Sequence, residues 1–463
     1  MQWTRRSLLG TLPGSLLAQR KKQTEAAQPV AAKPNILLIF ADDLPAWALG
    51  CYGNKEIKTP NIDLLARGGM RFLNSYVCTP ICSPSRATLF TGRVPRQHGI
   101  HDFLTANPVE KPAQGQKDVP ESFGKEVMVS DLLSGAGYQC GYVGKWHMGN
   151  DAKPGHGYSY TYTLGGLKRS YQDPQMNLNG QAVEEKGYLT ELLTKRAGEF
   201  LDQQKPGTPF FLTVGYLNPH TPYEGHPQRY YDMYKTANFE TIGWEPAAPN
   251  ALREKNYLSD IVGNNRKHAA SVTALDDQIP VLLKKLQEKG LRENTLIILT
   301  GDNGFLLGRH GFWSKGHASD PINMYEEVMQ VPMIWNWMGK VPVEATRPEL
   351  ISFYDLLPTL CEVAGAQAPA DRNLCGRSYL NIALNKKLEQ PWRNVLFGHF
   401  RYAEMARDAR YKVILRNNGA GPNELYDLRT DPREKTNQYD NPLFLQVRER
   451  LTRELEGWRK KYA

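Results

Sequence analysis

Ile36-Leu37-Leu38-Ile39-Phe40-Ala41-Asp42-Asp43 is a continuous apolar run that stops abruptly at two carboxylates. A run without polar alternation suits a strand covered on both faces, as in a parallel sheet flanked by helices. Two later segments repeat the form. Phe210-Phe211-Leu212-Thr213-Val214 runs toward His220, and Leu296-Ile297-Ile298-Leu299 ends near Asp302-Asn303. Helical stretches alternate with them. Thr59-Pro60 reads as the cap and first-turn proline of a helix that contains Ile62, Leu64 and Leu65 and closes at Gly68-Gly69. Residues 266–289 read as another, with Leu275, Ile279, Leu282, Leu283 and Leu286 on one stripe and Gly290 at its end. This alternation predicts an α/β fold with a large, mostly parallel central sheet. Ligands in such folds gather beyond the carboxyl ends of strands, which brings Asp42, Asp43, Asp302 and Asn303 to one place.

From about residue 365 the pattern changes to Gly, Pro, Arg and short alternating strands, as in Tyr411-Lys412-Val413-Ile414-Leu415 and Glu424-Leu425-Tyr426-Asp427-Leu428. With 463 residues the chain exceeds what one core usually holds. The reading is a larger domain over residues 34–365 and a smaller C-terminal α+β subdomain over residues 366–463.

Thr4-Arg5-Arg6-Ser7-Leu8-Leu9 is a twin-arginine pattern, and a short apolar stretch follows it to Leu17-Ala18. Residues 1–33 are accordingly expected to be an export signal and flexible leader, and the protein to be periplasmic or secreted. The formal charge is +9, but Arg5, Arg6, Arg20, Lys21, Lys22 and Lys33 less Glu25 supply five of it, leaving about +4. No dense basic run remains in the body of the chain, so nucleic acid is not an expected partner. No later segment approaches the ~20 apolar residues that span a bilayer.

The most informative string is Cys82-Ser83-Pro84-Ser85-Arg86-Ala87-Thr88-Leu89-Phe90-Thr91-Gly92-Arg93. Pro84 suits the first turn of a helix through Arg86, Ala87 and Leu89, leaving Cys82 at a positive helix end that favours an anion. The string resembles the signature of the type I sulfatases, the formylglycine-dependent branch of the alkaline phosphatase superfamily. There the cysteine is converted to formylglycine, an aldehyde whose hydrate attacks the sulfur of a sulfate ester. The resemblance runs from Asn35 to about Asp431 and rests on five separated motifs.

It implies hydrolysis of a sulfate monoester on a sulfated small molecule or glycan, and a formylglycine-generating maturation enzyme as partner. Asp42, Asp43, Asp302 and Asn303 match the family's ligands for one divalent cation, usually Ca2+, and the modified Cys82 would supply another oxygen. An oxygen-only set suits a hard cation and disfavours zinc. Arg86 matches the arginine that holds the modified side chain. Lys145 and His147, in Gly144-Lys145-Trp146-His147, match residues that contact the formylglycine hydroxyls.

His220 in Asn218-Pro219-His220-Thr221-Pro222 resembles the Pro-His-x-Pro motif, and Lys315 the lysine ahead of Tyr325-Glu326-Glu327. In the family these two hold the sulfate and its bridging oxygen. Nine residues separate Lys315 from Tyr325, a longer gap than in many relatives, so His310 and His317 stay open for its role. The implied cycle has the hydrate attack sulfur with help from Asp302 and His220 protonate the departing alcohol. His147 then takes the proton of the second hydroxyl so that sulfate is expelled.

Six cysteines are present: Cys51, Cys78, Cys82, Cys140, Cys361 and Cys375. With Cys82 modified, at least one of the rest cannot pair within the chain. Cys361 with Cys375 is the best-placed disulfide candidate, which spacing alone does not settle. Other readings stay open. Phosphomonoester, phosphodiester and phosphonate hydrolases share the superfamily, and a non-catalytic secreted glycan-binding protein would keep the scaffold with Cys82 unmodified. A redox pair of Cys78 and Cys82 has three intervening residues where the common motif has two. Tyr158, Tyr160, Tyr162 and Arg169, and Tyr223, Arg229, Tyr230 and Tyr231, suit a sugar and equally suit ordinary packing.

Overall fold

The alternating side chains of Ile36 to Ala41 enter two different cores in the computed structural model, which describes residues 33–104, 121–165 and 170–462. Ile36, Leu38 and Phe40 pack on one face, Leu37, Ile39 and Ala41 on the other, and all are fully buried. Neither face meets water, which is why the run carries no polar residue until its end.

Among the described residues, ten strands form the main sheet: β1 (Asn35–Asp42), β2 (Met70–Tyr76), β3 (Gln139–Gly144), β4 (Tyr160–Leu164), β5 (Gln175–Leu178), β6 (Gln181–Glu184), β7 (Phe210–Pro219), β8 (Thr295–Gly301), β9 (Met333–Asn336) and β10 (Ala345–Ser352). Their order is β10-β2-β9-β8-β1-β7-β3-β4-β5-β6. β1 pairs in parallel with both β8 and β7, and β7 with β3; only β9 and β5 run antiparallel to both neighbours. Four adjacent parallel strands, β8, β1, β7 and β3, therefore present their carboxyl ends side by side. Ala41 is in register with Gly301, so the pairs Asp42-Asp43 and Asp302-Asn303 emerge together.

A second sheet, β11 (Leu396–Phe400), β12 (Ala403–Arg407), β13 (Tyr411–Arg416) and β14 (Glu424–Asp427), is antiparallel throughout. The helix Leu445–Tyr462 packs on it, with Trp458 stacked on Phe397 at 5.3 Å. Leu396, Phe400, Met405 and Val413 belong to the same core as Ile36 and Phe72, so this sheet shares one face's core with the main one. A buried ionic cluster ties the two sheets. Glu326 accepts from Tyr76 Oη (2.7 Å), Arg407 Nη2 (2.9 Å) and Lys412 Nζ (3.1 Å), and Lys412 also pairs with Glu434.

Two readings are corrected and two are made more specific. The helix expected over 266–289 is two, Ile261–Asp276 and Ile279–Glu288. Pro280 has no N–H to donate and its ring clashes with the carbonyl four residues back, which ends the first helix at Asp276. Thr59 is the N-cap residue of the helix Pro60–Arg67 with Pro60 in its first turn, as expected, but its side chain makes no capping bond; the Asp276 carboxylate supplies it, accepting from Asn61 N (3.1 Å) and Ile62 N (2.7 Å) across the fold. Cys361 and Cys375 are both free thiols. Of the tyrosines that suit either a sugar or packing, Tyr160, Tyr162, Tyr223 and Tyr230 are buried residues of the second core. Arg169 and residues 1–32 of the expected leader lie outside the described residues. No helix among them is long and apolar enough to cross a membrane.

Candidate active site

The carboxyl ends of the four parallel strands meet the amino end of the helix Cys82–Thr91. Ile81 is its extended N-cap and Cys82 its first residue, as the position of Pro84 predicts. Every residue of this helix is buried, so it is held from all sides and has no solvent face. Its first turn is pinned to the strand ends: Ser85 Oγ donates to Asp302 O, and Arg86 Nε and Nη2 each lie 2.9 Å from Asp302 Oδ2.

Arg86 is the electrostatic centre of this junction. Its Nη1 donates to Lys145 O at 2.5 Å, Nη2 stands 3.7 Å from Asp42 Oδ1, and the guanidinium lies 4.8 Å over the Phe40 ring. Lys145 follows Gly144 at the end of β3 and donates through Nζ to Asp42 Oδ2. Gly144 is at φ +120 and a Cβ there would stand 1.9 Å from Gly215 O on β7, so only glycine lets β3 approach β7 and deliver Lys145. Lys315, from the loop after β8, places Nζ on Asp43 Oδ1 and 2.8 Å from Cys82 Sγ. The long gap before Tyr325 therefore does not displace it. His310 instead stacks on Tyr325 at 4.0 Å and pairs with Glu327, away from this role.

His220, just past β7, has Nε2 3.7 Å from Asp43 Oδ2, and its ligand atom lies within 4.8 Å of those of Asp42 and Cys82. Its Nδ1 donates to Thr221 O at 2.5 Å, and since a carbonyl only accepts, the basic lone pair is on Nε2. His147 is half-buried, in the left-handed region at φ +58, with Nε2 donating to Leu104 O at 2.9 Å. It joins the cluster through that segment, since Leu104 N donates to Ser83 Oγ at 3.0 Å.

The charges are set by burial and by each other. Burial raises the Asp42 carboxyl, but Lys145, His220, Arg86 and Lys315 together hold it well below the usual range; Asp43 is likewise lowered, chiefly by Lys315 and His220 against burial. Asp302 goes the other way, to about 7, because burial and repulsion from Asp42 outweigh Arg86. Burial pushes His220 down to about 3 and the Cys82 thiol up to about 11. Burial also lowers Lys315, yet Asp43, Cys82 and Asp42 hold it well above the ordinary lysine value.

Carboxylate oxygens of Asp42, Asp43 and Asp302 lie within 4.8 Å of one another. Asn303 Nδ2 donates to Asp43 Oδ1 (2.8 Å) and Gly304 O (2.9 Å), while its Oδ1 is buried with no hydrogen-bond partner. An orphaned buried acceptor among three carboxylates fits a hard divalent cation with oxygen ligands. Asp43 adopts φ +65, a conformation Asp tolerates, with its N–H on Asp302 Oδ1 at 2.9 Å.

The sulfatase family model matches residues 34–366, and a model described as N-sulphoglucosamine sulphohydrolase, C-terminal, matches residues 308–461. An N-acetylglucosamine-6-O-sulfatase of Bacteroides thetaiotaomicron is 26% identical over 93% of this chain and 87% of its own. Arylsulfatase A of Homo sapiens is 30% identical over 74% of this chain and 66% of its own. A solved structure described as a complex with its substrate D-glucosamine-2-N,6-O-disulfate superposes with a TM-score of 0.79 at 25% identity, covering 93% of this chain and 98% of that one.

Proposed function

The chain belongs to the sulfatase family, and from that membership we propose that it removes sulfate from a sulfated carbohydrate, using formylglycine made from Cys82 by a maturation enzyme. The observation that carries the reading is the seat of Cys82: a buried first helical residue with Lys315 Nζ 2.8 Å and Asp42 Oδ1 3.6 Å from its sulfur. Formylglycine in hydrated form supplies a nucleophilic oxygen and a second hydroxyl that lets the bound sulfate leave, which a plain serine or cysteine lacks. Asp42, Asp43, Asp302 and Asn303 would hold Ca2+, which supplies positive charge for the nucleophile and the sulfate oxygens.

The chain's own residues supply the rest. Arg86 neutralises Asp42 and Asp302 from behind, so that the carboxylates remain close without unfolding the strand ends. Lys145 and Lys315 face the Cys82 position from two sides and hold the oxygens of an incoming sulfate. His220 turns Nε2 toward the same centre and is the proposed proton donor to the departing alcohol. Burial keeps its ring neutral in the free protein, so the proton it gives is one gained as the anionic ester enters. His147, with Nε2 tied to Leu104 O, offers Nδ1 as the base for the second hydroxyl. Export of the mature protein and a division near residue 365 into catalytic and C-terminal parts complete the proposal.

The test is a screen of purified, matured protein against defined sulfated saccharides with free sulfate as readout. Release from at least one saccharide, lost in Cys82→Ala, is expected. Full activity in Cys82→Ala would overturn the proposal, as would turnover of aryl phosphates in preference to aryl sulfates.

A further inference from the structure

His220 stands where the backbone has few bonds of its own to offer. β7 ends at Pro219, and Pro222 follows two residues beyond His220; neither proline has an N–H to anchor the segment. The His220 amide turns back to Leu217 O at 2.9 Å, and Thr221 O accepts from the His220 ring itself. Side chains supply further anchors. Asn218, fully buried, accepts from Thr190 Oγ1 at 2.6 Å and donates through Nδ2 to Ser271 Oγ and O, both at 3.1 Å, on the helix Ile261–Asp276. The carbonyl of His220 accepts from Tyr171 Oη at 2.9 Å.

Tyr171 is itself fixed on every side. It is buried, its ring lies 4.3 Å from that of His226, and His226 Nδ1 is 2.7 Å from Tyr188 Oη. Its carbonyl accepts from Leu189 N at 2.8 Å, at the start of the helix Leu189–Asp202. Gln172 Nε2 donates to Gly225 O at 2.8 Å, and a Cβ on Gly225, at φ +91, would stand 3.2 Å from Tyr171 Cβ, so the loop after His220 closes directly over this tyrosine. The Ser271 hydroxyl held by Asn218 also faces the phenol. A buried hydroxyl costs about 1–3 kcal/mol if left unpaired, and the acceptor that receives this one is the carbonyl of His220. His220 is thus gripped twice, by Tyr171 at its backbone oxygen and by Thr221 O at Nδ1, which leaves Nε2 directed toward Asp43 Oδ2 at 3.7 Å.

We infer that Tyr171 is a positioning residue for proton transfer to the departing alcohol: its hydroxyl fixes the His220 carbonyl and with it the line along which Nε2 meets the bridging oxygen. The inference rests on the proposed function, in which His220 is the proton donor. Protonation matters for a sugar alkoxide, a poor leaving group, and little for nitrophenolate, which departs as a stable anion. The test is kcat/KM of matured wild type, Tyr171→Phe, His220→Ala and the double variant on two substrates, the saccharide sulfate released fastest in the screen above and 4-nitrophenyl sulfate. Tyr171→Phe removes one oxygen and keeps the ring against His226. It is expected to slow the saccharide about tenfold, chiefly in kcat, which lies between the worth of one hydrogen bond and that of a whole general acid, and the nitrophenyl ester less than about threefold. Tyr216→Phe removes an equally buried hydroxyl, 2.7 Å from Thr194 Oγ1, and is expected to leave the ratio of the two rates unchanged. In His220→Ala the selective loss is expected to be larger, and adding Tyr171→Phe to move the ratio no further. Equal slowing of both substrates by Tyr171→Phe overturns the inference, as does a ratio moved as far by Tyr216→Phe or a selective loss that persists in the His220→Ala background. Equal slowing of both substrates by His220→Ala strikes the proton-donor reading itself, and the inference with it.

Discussion

Replacing Arg86 by Met tests whether the strand-end carboxylates are held together by one buried cation. The side chains of Arg86, Asp42 and Asp302 are all 0% exposed, so water cannot screen what is left when the guanidinium goes. Met fills most of the same volume, which keeps the cavity contribution small. Asp302 Oδ2 loses both of its Arg86 contacts at 2.9 Å, and Lys145 O keeps only Tyr142 Oη. Removing one partner of a buried pair costs about 3–5 kcal/mol, because the remaining charge stays buried. The cation–π contact with Phe40 adds to that loss without being separable from it. Urea denaturation of wild type and Arg86→Met in a chelating buffer reads the difference, and saturating Ca2+ is expected to narrow it. A loss below about 1 kcal/mol would refute the reasoning, since that is the scale of a solvent-exposed pair.

Gly144→Ala is expected to destabilise by more than about 3 kcal/mol or to abolish soluble expression, since the new Cβ collides with Gly215 O; thermal melts and yield report it. Burial pushes the Glu434 carboxyl up to about 8 against the pull of Lys412, so it binds its proton more tightly folded than unfolded. Its contribution is full below the unfolded glutamate value, about 4.3, and is lost as pH rises through about 8; Glu434→Gln should flatten the stability profile across that window. Adding Ca2+ to metal-stripped protein is expected to stabilise it by about 2.7 kcal/mol at a hundredfold excess over Kd. Asp42→Asn should remove most of that gain, as read by thermal melts.

The sequence displays the centre of this fold because the centre is extreme. β1, β7 and β8 are buried on both faces, and a strand so placed has no choice but to be apolar throughout. Where they stop, the next residues are the carboxylates and the histidine of the site, so Asp42, Asp302 and His220 are legible from strand ends alone. The Cys82 string is legible because helix-start chemistry and motif coincide. Less visible were features decided by distant partners. Asp276 caps a helix more than two hundred residues earlier, a bond no local pattern encodes. The break at Pro280 was readable from proline chemistry but was masked by a leucine stripe that continues through it. The tyrosines of β4 resemble a sugar-binding surface in sequence, and only the sheet's position shows them to be core.

The central claim is that Cys82 is spent as a thiol and acts as a carbonyl. Peptide mass spectrometry of the sulfate-releasing protein measures it directly, because conversion to formylglycine removes about 18 Da from the peptide containing residue 82. The account predicts that deficit in the active fraction. Active protein whose Cys82 carries the full unmodified mass would contradict it.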